Sequence, residues 1–209
     1  MDGVLIDSEP LHLKAEKHTL SSFGVQPTNE ELHLYMGTDA QTFWGELIKK
    51  YHLQITIRRL IDLHYKNLAS LFKKEVQLKP GIIQLLQELK EYHIRLAVAS
   101  SSYKSLVDLV LKKFHMNPFF PVVITGDEIE RGKPYPDIFL ETIKRLHVEV
   151  QYCVVIEDSM NGVRAAKRAG IKCLGIKDPG YGDQNLNEAD LIVEDLQEVH
   201  YHTLIDLVG

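Results

Sequence analysis

The chain has 209 residues, 44% of them hydrophobic and 25% charged, with a formal net charge of −5, the balance of a soluble globular protein with one core domain and a modest second one. Acidic and basic residues are mixed, so no Lys/Arg block points to nucleic acid or an anionic membrane surface, and no apolar run reaches the ~18 to 20 residues of a membrane span. The opening MDGVLIDSEP lacks the basic-then-apolar order of a secretory leader, which leaves a cytoplasmic, monomeric protein as the expectation. Residues 11–23, 40–51 and 57–72 carry apolar side chains at helical spacing, and no convincing strand interrupts them. From Gly81 the pattern changes to alternation. Helices are expected over 81–92, 105–114, 136–146 and 159–169, the last closed by Gly170. Strands are expected over 95–99, 122–125, 153–156, 172–176 and 191–193. Continuous apolar strands alternating with helices predict a Rossmann-like parallel sheet covered by helices on both faces. The α/β core is assigned to residues 1–9 and 80–209, and an inserted all-helical domain to 10–79. Ser8-Glu9-Pro10 and Leu78-Lys79-Pro80-Gly81 are the expected hinges.

Cys153 and Cys173 each fall in an apolar run and read as reduced core thiols. The ten histidines are scattered, and the closest pair, His200 and His202, lies in a weakly patterned tail, so a histidine metal site is not expected.

Four polar clusters matter, and each is expected to follow a strand: Asp2-Gly3-Val4-Leu5-Ile6-Asp7-Ser8, Ser100-Ser101-Ser102, Gly132-Lys133-Pro134-Tyr135-Pro136-Asp137, and Glu157-Asp158-Ser159-Met160-Asn161-Gly162. In an open parallel sheet, ligands bind beyond the carboxyl ends of the strands, where such clusters converge. A hydroxyl and a lysine can hold a phosphate, and paired acids can hold Mg²⁺, which takes oxygen ligands and neutralises phosphoryl charge. Each cluster also has a plain structural reading. Asp7-Ser8 and Ser100 to Ser102 could be helix N-caps, Lys133 a solvated loop lysine, and Glu157-Asp158 an acidic helix start favoured by the helix dipole. Asp137 reads as a helix-start residue, and Tyr35, Phe43 and Trp44 as core of the helical segment.

In order, spacing and composition the four clusters resemble the motifs of haloacid dehalogenase phosphotransferases, and the inserted helical segment resembles the cap of the β-phosphoglucomutase-like phosphatases. The resemblance covers essentially the whole chain. It implies a phosphatase acting on small phosphorylated metabolites such as sugar phosphates, with Mg²⁺ as cofactor and an aspartyl-phosphate intermediate. Asp2 matches the motif's second aspartate, the general acid and base whose carbonyl also faces the metal. Asp158 matches a direct metal ligand, and Glu157 a ligand acting directly or through water. Ser100 and the backbone near Ser101 match the phosphoryl-oxygen binders, and Lys133 the lysine that stabilises the transferring group. His12, in Ser8-Glu9-Pro10-Leu11-His12, matches a hinge histidine of the family, and Lys104 or Lys66 could supply a further cation.

The mutases of this family carry Gly-x-Ser-Arg in the cap, whose arginine grips a second phosphate. This chain reads Met36-Gly37-Thr38-Asp39-Ala40. Alanine cannot replace a guanidinium fork, so hydrolysis is expected over the mutase reaction, which stays the alternative. The family nucleophile belongs immediately before Met1, at the end of an apolar strand. A truncated record is one expectation, and a natural, catalytically inactive phosphate-binding protein the other. As written, the chain is expected to be inactive.

Overall fold

The computed structural model describes residues 1–34, 40–178 and 184–209, and divides into two compact units, Met1–Asp7 with Gln77–Gly209, and Ser8–Val76. The divisions fall two residues before the expected boundary at 9/10 and three before that at 79/80.

The Ser8–Val76 unit is helical in its described residues: α1 (Glu9–Ser21), α2 (Asn29–His33), α3 (Ala40–Tyr51) and α4 (Ile57–Glu75). Thr56 starts α4 by accepting the N–H of Arg59, and Thr28 with Glu31 closes a reciprocal capping box on α2. Leu20, Phe43, Trp44, Leu47 and Leu60 fuse their apolar stripes into one buried core. Phe43 and Trp44 are therefore core, as expected, while Tyr35 lies outside the described residues. Ser8 precedes α1, yet its side chain makes no cap hydrogen bond, so that plain structural reading fails.

In the other unit, β1 (Ile6–Asp7) and β2 (Gln77–Leu78) pair antiparallel, Ile6 opposite Leu78 and Asp7 opposite Gln77. This clip is too short to leave a period in the sequence. The expected parallel pairing is present, but in two pieces. β3 (Ala97–Ser100) pairs with β4 (Val122–Thr125), and β5 (Val154–Glu157) pairs with β6 (Lys172–Ile176), which pairs with β7 (Leu191–Val193). Helices α5 (Ile82–Glu91), α6 (Lys104–Lys113), α7 (Asp137–Leu146), α8 (Met160–Arg168) and α9 (Tyr201–Val208) cover the strands. Cores such as Ile124, Phe139, Val163, Ala166 and Cys173 knit α7 and α8 to β4 and β6. Helix α9 falls where the sequence shows only a weakly patterned tail. Gly81 has φ +81° as it enters α5, and a Cβ there would sit 2.7 Å from Cγ of Gln197, so a non-glycine residue would be strained and crowded. Both cysteines are free thiols. Cys173 is buried in β6, whereas Cys153 lies just before β5 rather than within it. Among the described residues no helix is long and apolar enough to cross a membrane.

Candidate active site

In an open parallel sheet, polar residues at the carboxyl ends of the strands border the place where ligands bind. Ser100 ends β3 and Glu157 ends β5, both at carboxyl ends. Ser100 is buried and accepts the backbone N–H of Ser102 at 3.1 Å. It is not a helix cap: α6 begins after Tyr103, and the N–H of its first residue, Lys104, donates to Oδ1 of Asp127 at 2.9 Å. The Ser102 hydroxyl donates to Oδ2 of Asp2 at 2.7 Å, tying the opening motif to the serine cluster.

Lys133 and Glu157 form an ion pair with side chains only 9% and 8% exposed. Lys133 also donates to the carbonyl of Ala99 at 3.2 Å, and its ammonium lies 4.9 Å from the Phe139 ring centre. The solvated-loop reading of Lys133 therefore fails. Glu157 accepts the Ser159 hydroxyl at 3.0 Å, and the same hydroxyl caps α8 by accepting the N–H of Gly162 at 3.0 Å. Burial alone would push the Glu157 carboxyl up, but the Lys133 ammonium, the chain's amino terminus and the Ser159 hydroxyl hold it below the ordinary glutamate value.

Asp158 behaves in the opposite way. Burial and then the charge of Glu157 push its carboxyl up to about 7, with Asp2 adding to the rise and the amino terminus and Lys133 opposing it. The backbone closes on this carboxylate. A Cβ on Gly3, at φ +64°, would lie 1.9 Å from Oδ2 of Asp158, and one on Gly162 would lie 2.0 Å from the Glu157 carboxyl. Both glycines are thus required by close approach. Gln184 donates to the Asp158 carbonyl at 2.7 Å.

Ser102 thus ties Asp2 to Ser100, and Lys133 ties Glu157 to the Ala99 carbonyl next to Ser100, with Asp158 following Glu157 in the chain. Ser102 and Ser159 were not singled out in sequence. Ser102 looked like one of three equal serines, and Ser159 carried only the Ser-x-x-Gly spacing of a cap. Three further expected residues have these surroundings. Ser101 is exposed. Lys104 is exposed and paired with Asp108 at 3.0 Å on its own helix. His12 belongs to the helical unit, its ring 6.2 Å from that of His64 and 5.9 Å from that of Phe72. Asp137 opens α7 and pairs with Arg131 at 2.9 Å, as a helix-start residue should. Ala40 is the exposed first residue of α3, and Met36 to Asp39 lie outside the described residues.

Among the described residues no group of three or more histidine, cysteine, aspartate or glutamate side chains is placed to hold a metal. The donors still suit Mg²⁺, which keeps several waters and is bound through one or two carboxylates plus substrate phosphate. Asp158 is a half-buried aspartate whose charge is opposed by its acidic neighbours, the situation a divalent cation relieves. Glu157 is engaged by Lys133.

A parallel α/β core, with acids, hydroxyls and a buried lysine gathered at its strand ends, defines a phosphotransfer-type site on a Rossmann-like fold. The sequence profile of the haloacid dehalogenase-like hydrolases matches residues 1–176, and the chain belongs to that family. It is similar to the phosphorylated carbohydrates phosphatase of Thermotoga maritima, 32% identical over 173 residues, covering 82% of this chain and 80% of that protein. It is also similar to hexitol phosphatase B of Escherichia coli K12, 29% identical over 220 residues, covering 100% of this chain and 94% of that protein. In structure it is similar to CbbY of Rhodobacter sphaeroides in complex with phosphate, with a TM-score of 0.88, 27% identity, and coverage of 98% of this chain and 96% of that one.

Proposed function

We propose that the protein is a Mg²⁺-dependent phosphatase of small phosphate monoesters such as sugar phosphates. It works through an aspartyl-phosphate on an aspartate placed immediately before Met1. The observation that carries this reading is the linked set Asp2, Ser102, Lys133, Glu157 and Asp158 at the carboxyl ends of β3 and β5. The names of the phosphatase relatives support the substrate class.

Each residue then has a task set by its contacts. The nucleophilic carboxylate attacks phosphorus, and the P–O bond to the sugar breaks. Asp2 gives its proton to the departing oxygen and afterwards takes one from the water that opens the aspartyl-phosphate. The Ser102 hydroxyl, donating to one Asp2 oxygen, fixes which oxygen is left to carry that proton. Lys133, held in place by Glu157 and the Ala99 carbonyl, offers its positive charge to the transferring phosphoryl oxygens. Ser100 and the backbone beyond it hold those oxygens by hydrogen bonds. Bound Mg²⁺, held by Asp158 and Asp2, would neutralise phosphoryl charge. Ser159 stations Glu157 so that it faces Lys133 instead of the cation.

We read the Ser8–Val76 unit as the cap, carrying His12 and the Ala40 position. Ala40 supports hydrolysis over a mutase reaction, because no guanidinium stands there to hold a second phosphate. The test uses the chain with Phe-Asp restored before Met1, assayed for phosphate release from hexose and hexitol monophosphates in Mg²⁺ without a bisphosphate activator. Phosphate release is the expected result. Interconversion of glucose 1- and 6-phosphate faster than release would replace hydrolysis with the mutase reaction.

A further inference from the structure

Asp158 is the acid on which the proposed Mg²⁺ chemistry rests, and its backbone is held from two sides. The peptide unit joining Asp158 to Ser159 gives its N–H to Oε2 of Glu157 at 3.3 Å. The carbonyl of the same unit accepts Nε2 of Gln184 at 2.7 Å. A peptide unit is planar, so a bond at each end fixes its rotation and the ψ angle of Asp158 with it. Strand β5 fixes the chain just before, and the direction in which the Asp158 side chain leaves is then set. At its tip the carboxylate meets the backbone of Gly3, where a Cβ would lie 1.9 Å from Oδ2. A small turn at the base of this side chain would therefore drive its tip into Gly3 or away from it.

Gln184 is itself oriented. Its Oε1 accepts the N–H of Asp178 at 2.6 Å, and Nε2 also donates to the Ile176 carbonyl at 3.4 Å. An amide oxygen only accepts and an amide nitrogen only donates, so an N–H on one side and two carbonyls on the other admit one orientation. Asp178 is in turn ion-paired with Lys79, the two side chains 23% and 14% exposed. Leu186, two residues beyond Gln184, is buried with Val163 and Cys173. The glutamine thus stands on an anchored backbone, outside the four polar clusters of the sequence. We propose that Gln184 is a positioning residue: its donation to the Asp158 carbonyl sets the direction of the Asp158 carboxylate and so the chain's affinity for Mg²⁺. Gln184 has this role only if Asp158 binds the cation, as the proposed function has it. A group that orients a metal ligand from behind typically changes metal affinity by roughly 10- to 100-fold when removed.

The experiment titrates Mg²⁺ into the 209-residue chain and its variants by calorimetry, with the Ser159 amide followed by heteronuclear NMR and stability by urea midpoint. Gln184→Met keeps the length of the side chain and gives up its hydrogen bonds. Gln184→Asn keeps the amide but falls one methylene short. Both are expected to weaken Mg²⁺ binding by about tenfold or more and to shift the Ser159 amide before Mg²⁺ is added. Leu186→Ala loosens the same segment by opening a cavity and leaves the Gln184 bonds in place, so it should lower the midpoint with the Mg²⁺ affinity largely unchanged. Full-strength binding in Gln184→Met overturns the proposal. So does an equal loss of affinity in Leu186→Ala, which would assign the effect to the stability of the segment. Asp158→Asn is expected to abolish binding, and binding lost there but intact in the Gln184 variants overturns the role of Gln184 alone. Binding that survives Asp158→Asn, or an unmodified chain that takes up no Mg²⁺, overturns the placement of the cation at Asp158 and the role of Gln184 with it.

Discussion

Lys133→Met isolates what the buried ion pair contributes. The two side chains are 9% and 8% exposed, and the substitution leaves the Glu157 carboxylate facing only Ser159 and the chain's amino terminus. Removing one member of a buried pair costs ~3 to 5 kcal/mol. The remaining Ser159 hydroxyl, at 3.0 Å from Glu157, places this case near ~3 kcal/mol, a large share of the ~5 to 15 kcal/mol that holds a domain together. Glu157→Gln leaves the ammonium with the Ala99 carbonyl and the Phe139 ring and is expected to cost less. The double substitution removes both charges, so its cost is expected to fall at least ~2 kcal/mol short of the sum. Urea unfolding of the four proteins at pH 7 measures this directly. Because Glu157 is held below its ordinary value, its contribution is full above the unfolded glutamate pKa of about 4.3 and fades only as pH falls through the lower folded value. Single costs under about 1 kcal/mol that simply add would refute the claim that Lys133 and Glu157 depend on each other.

Other substitutions probe separate parts of the account. His64 is 6% exposed, and burial, helped by the charge of His12, lowers its pKa to about 3. The unfolded chain therefore binds a proton first, and stability is full above about pH 6.5 and falls as pH drops toward 3. His64→Phe should flatten that acid slope in urea midpoints taken from pH 7.5 to 4.5, and an unchanged slope would show that other groups set it. Gly162→Ala should lower the melting temperature although alanine favours helix by ~1 kcal/mol, because its Cβ would meet the Glu157 carboxyl at 2.0 Å, an overpacking worth ~1 to 3 kcal/mol. A rise in melting temperature would mean that Glu157 moves freely. At Asp190, burial pushes the carboxyl up, but Lys167, the Cys173 N–H and Lys172 outweigh it and hold it at about 2. Asp190→Asn should cost about 1 kcal/mol at pH 7 after solvent screening, an effect lost as pH falls through 2. An equal cost at pH 7 and below pH 2 would assign it to packing.

The elements with a clear period were legible. Leu85, Leu86 and Leu89 at helical spacing became the buried face of α5, and Val122–Thr125 became β4 with unchanged bounds. The two-residue strands β1 and β2 were not legible, since two residues carry no alternation and their pairing is long-range. Helix α9 was hidden by the histidines around its start, where propensity is weak and docking against α5, with Tyr92 stacked on Tyr201 at 3.9 Å, decides the outcome. Helix α2 is a different case. Thr28 and Glu31 stood in the sequence as a capping box, a start signal strong enough to read but followed by too short an apolar pattern to act on. At the candidate site, Asp2, Ser100, Lys133, Glu157 and Asp158 were picked out by motif order. Which acid faces the lysine is a matter of burial and side-chain direction, invisible in a linear pair. The sheet in two pieces follows from the same limit, since pairing depends on which strands lie side by side.

In the proposed covalent reaction, an aspartate before Met1 carries the phosphoryl group while Asp2 moves the proton. Acid quenching during turnover of a sugar phosphate by the chain extended with an apolar strand and Phe-Asp, followed by mass spectrometry of the amino-terminal peptide, tests it most directly. The account predicts one phosphoryl group on the residue preceding Met1. It should be absent when that residue is Asn and should accumulate when Asp2→Asn slows its hydrolysis. A phosphoryl group found on Asp2 or Asp158, or full turnover by the Asn version, would contradict it.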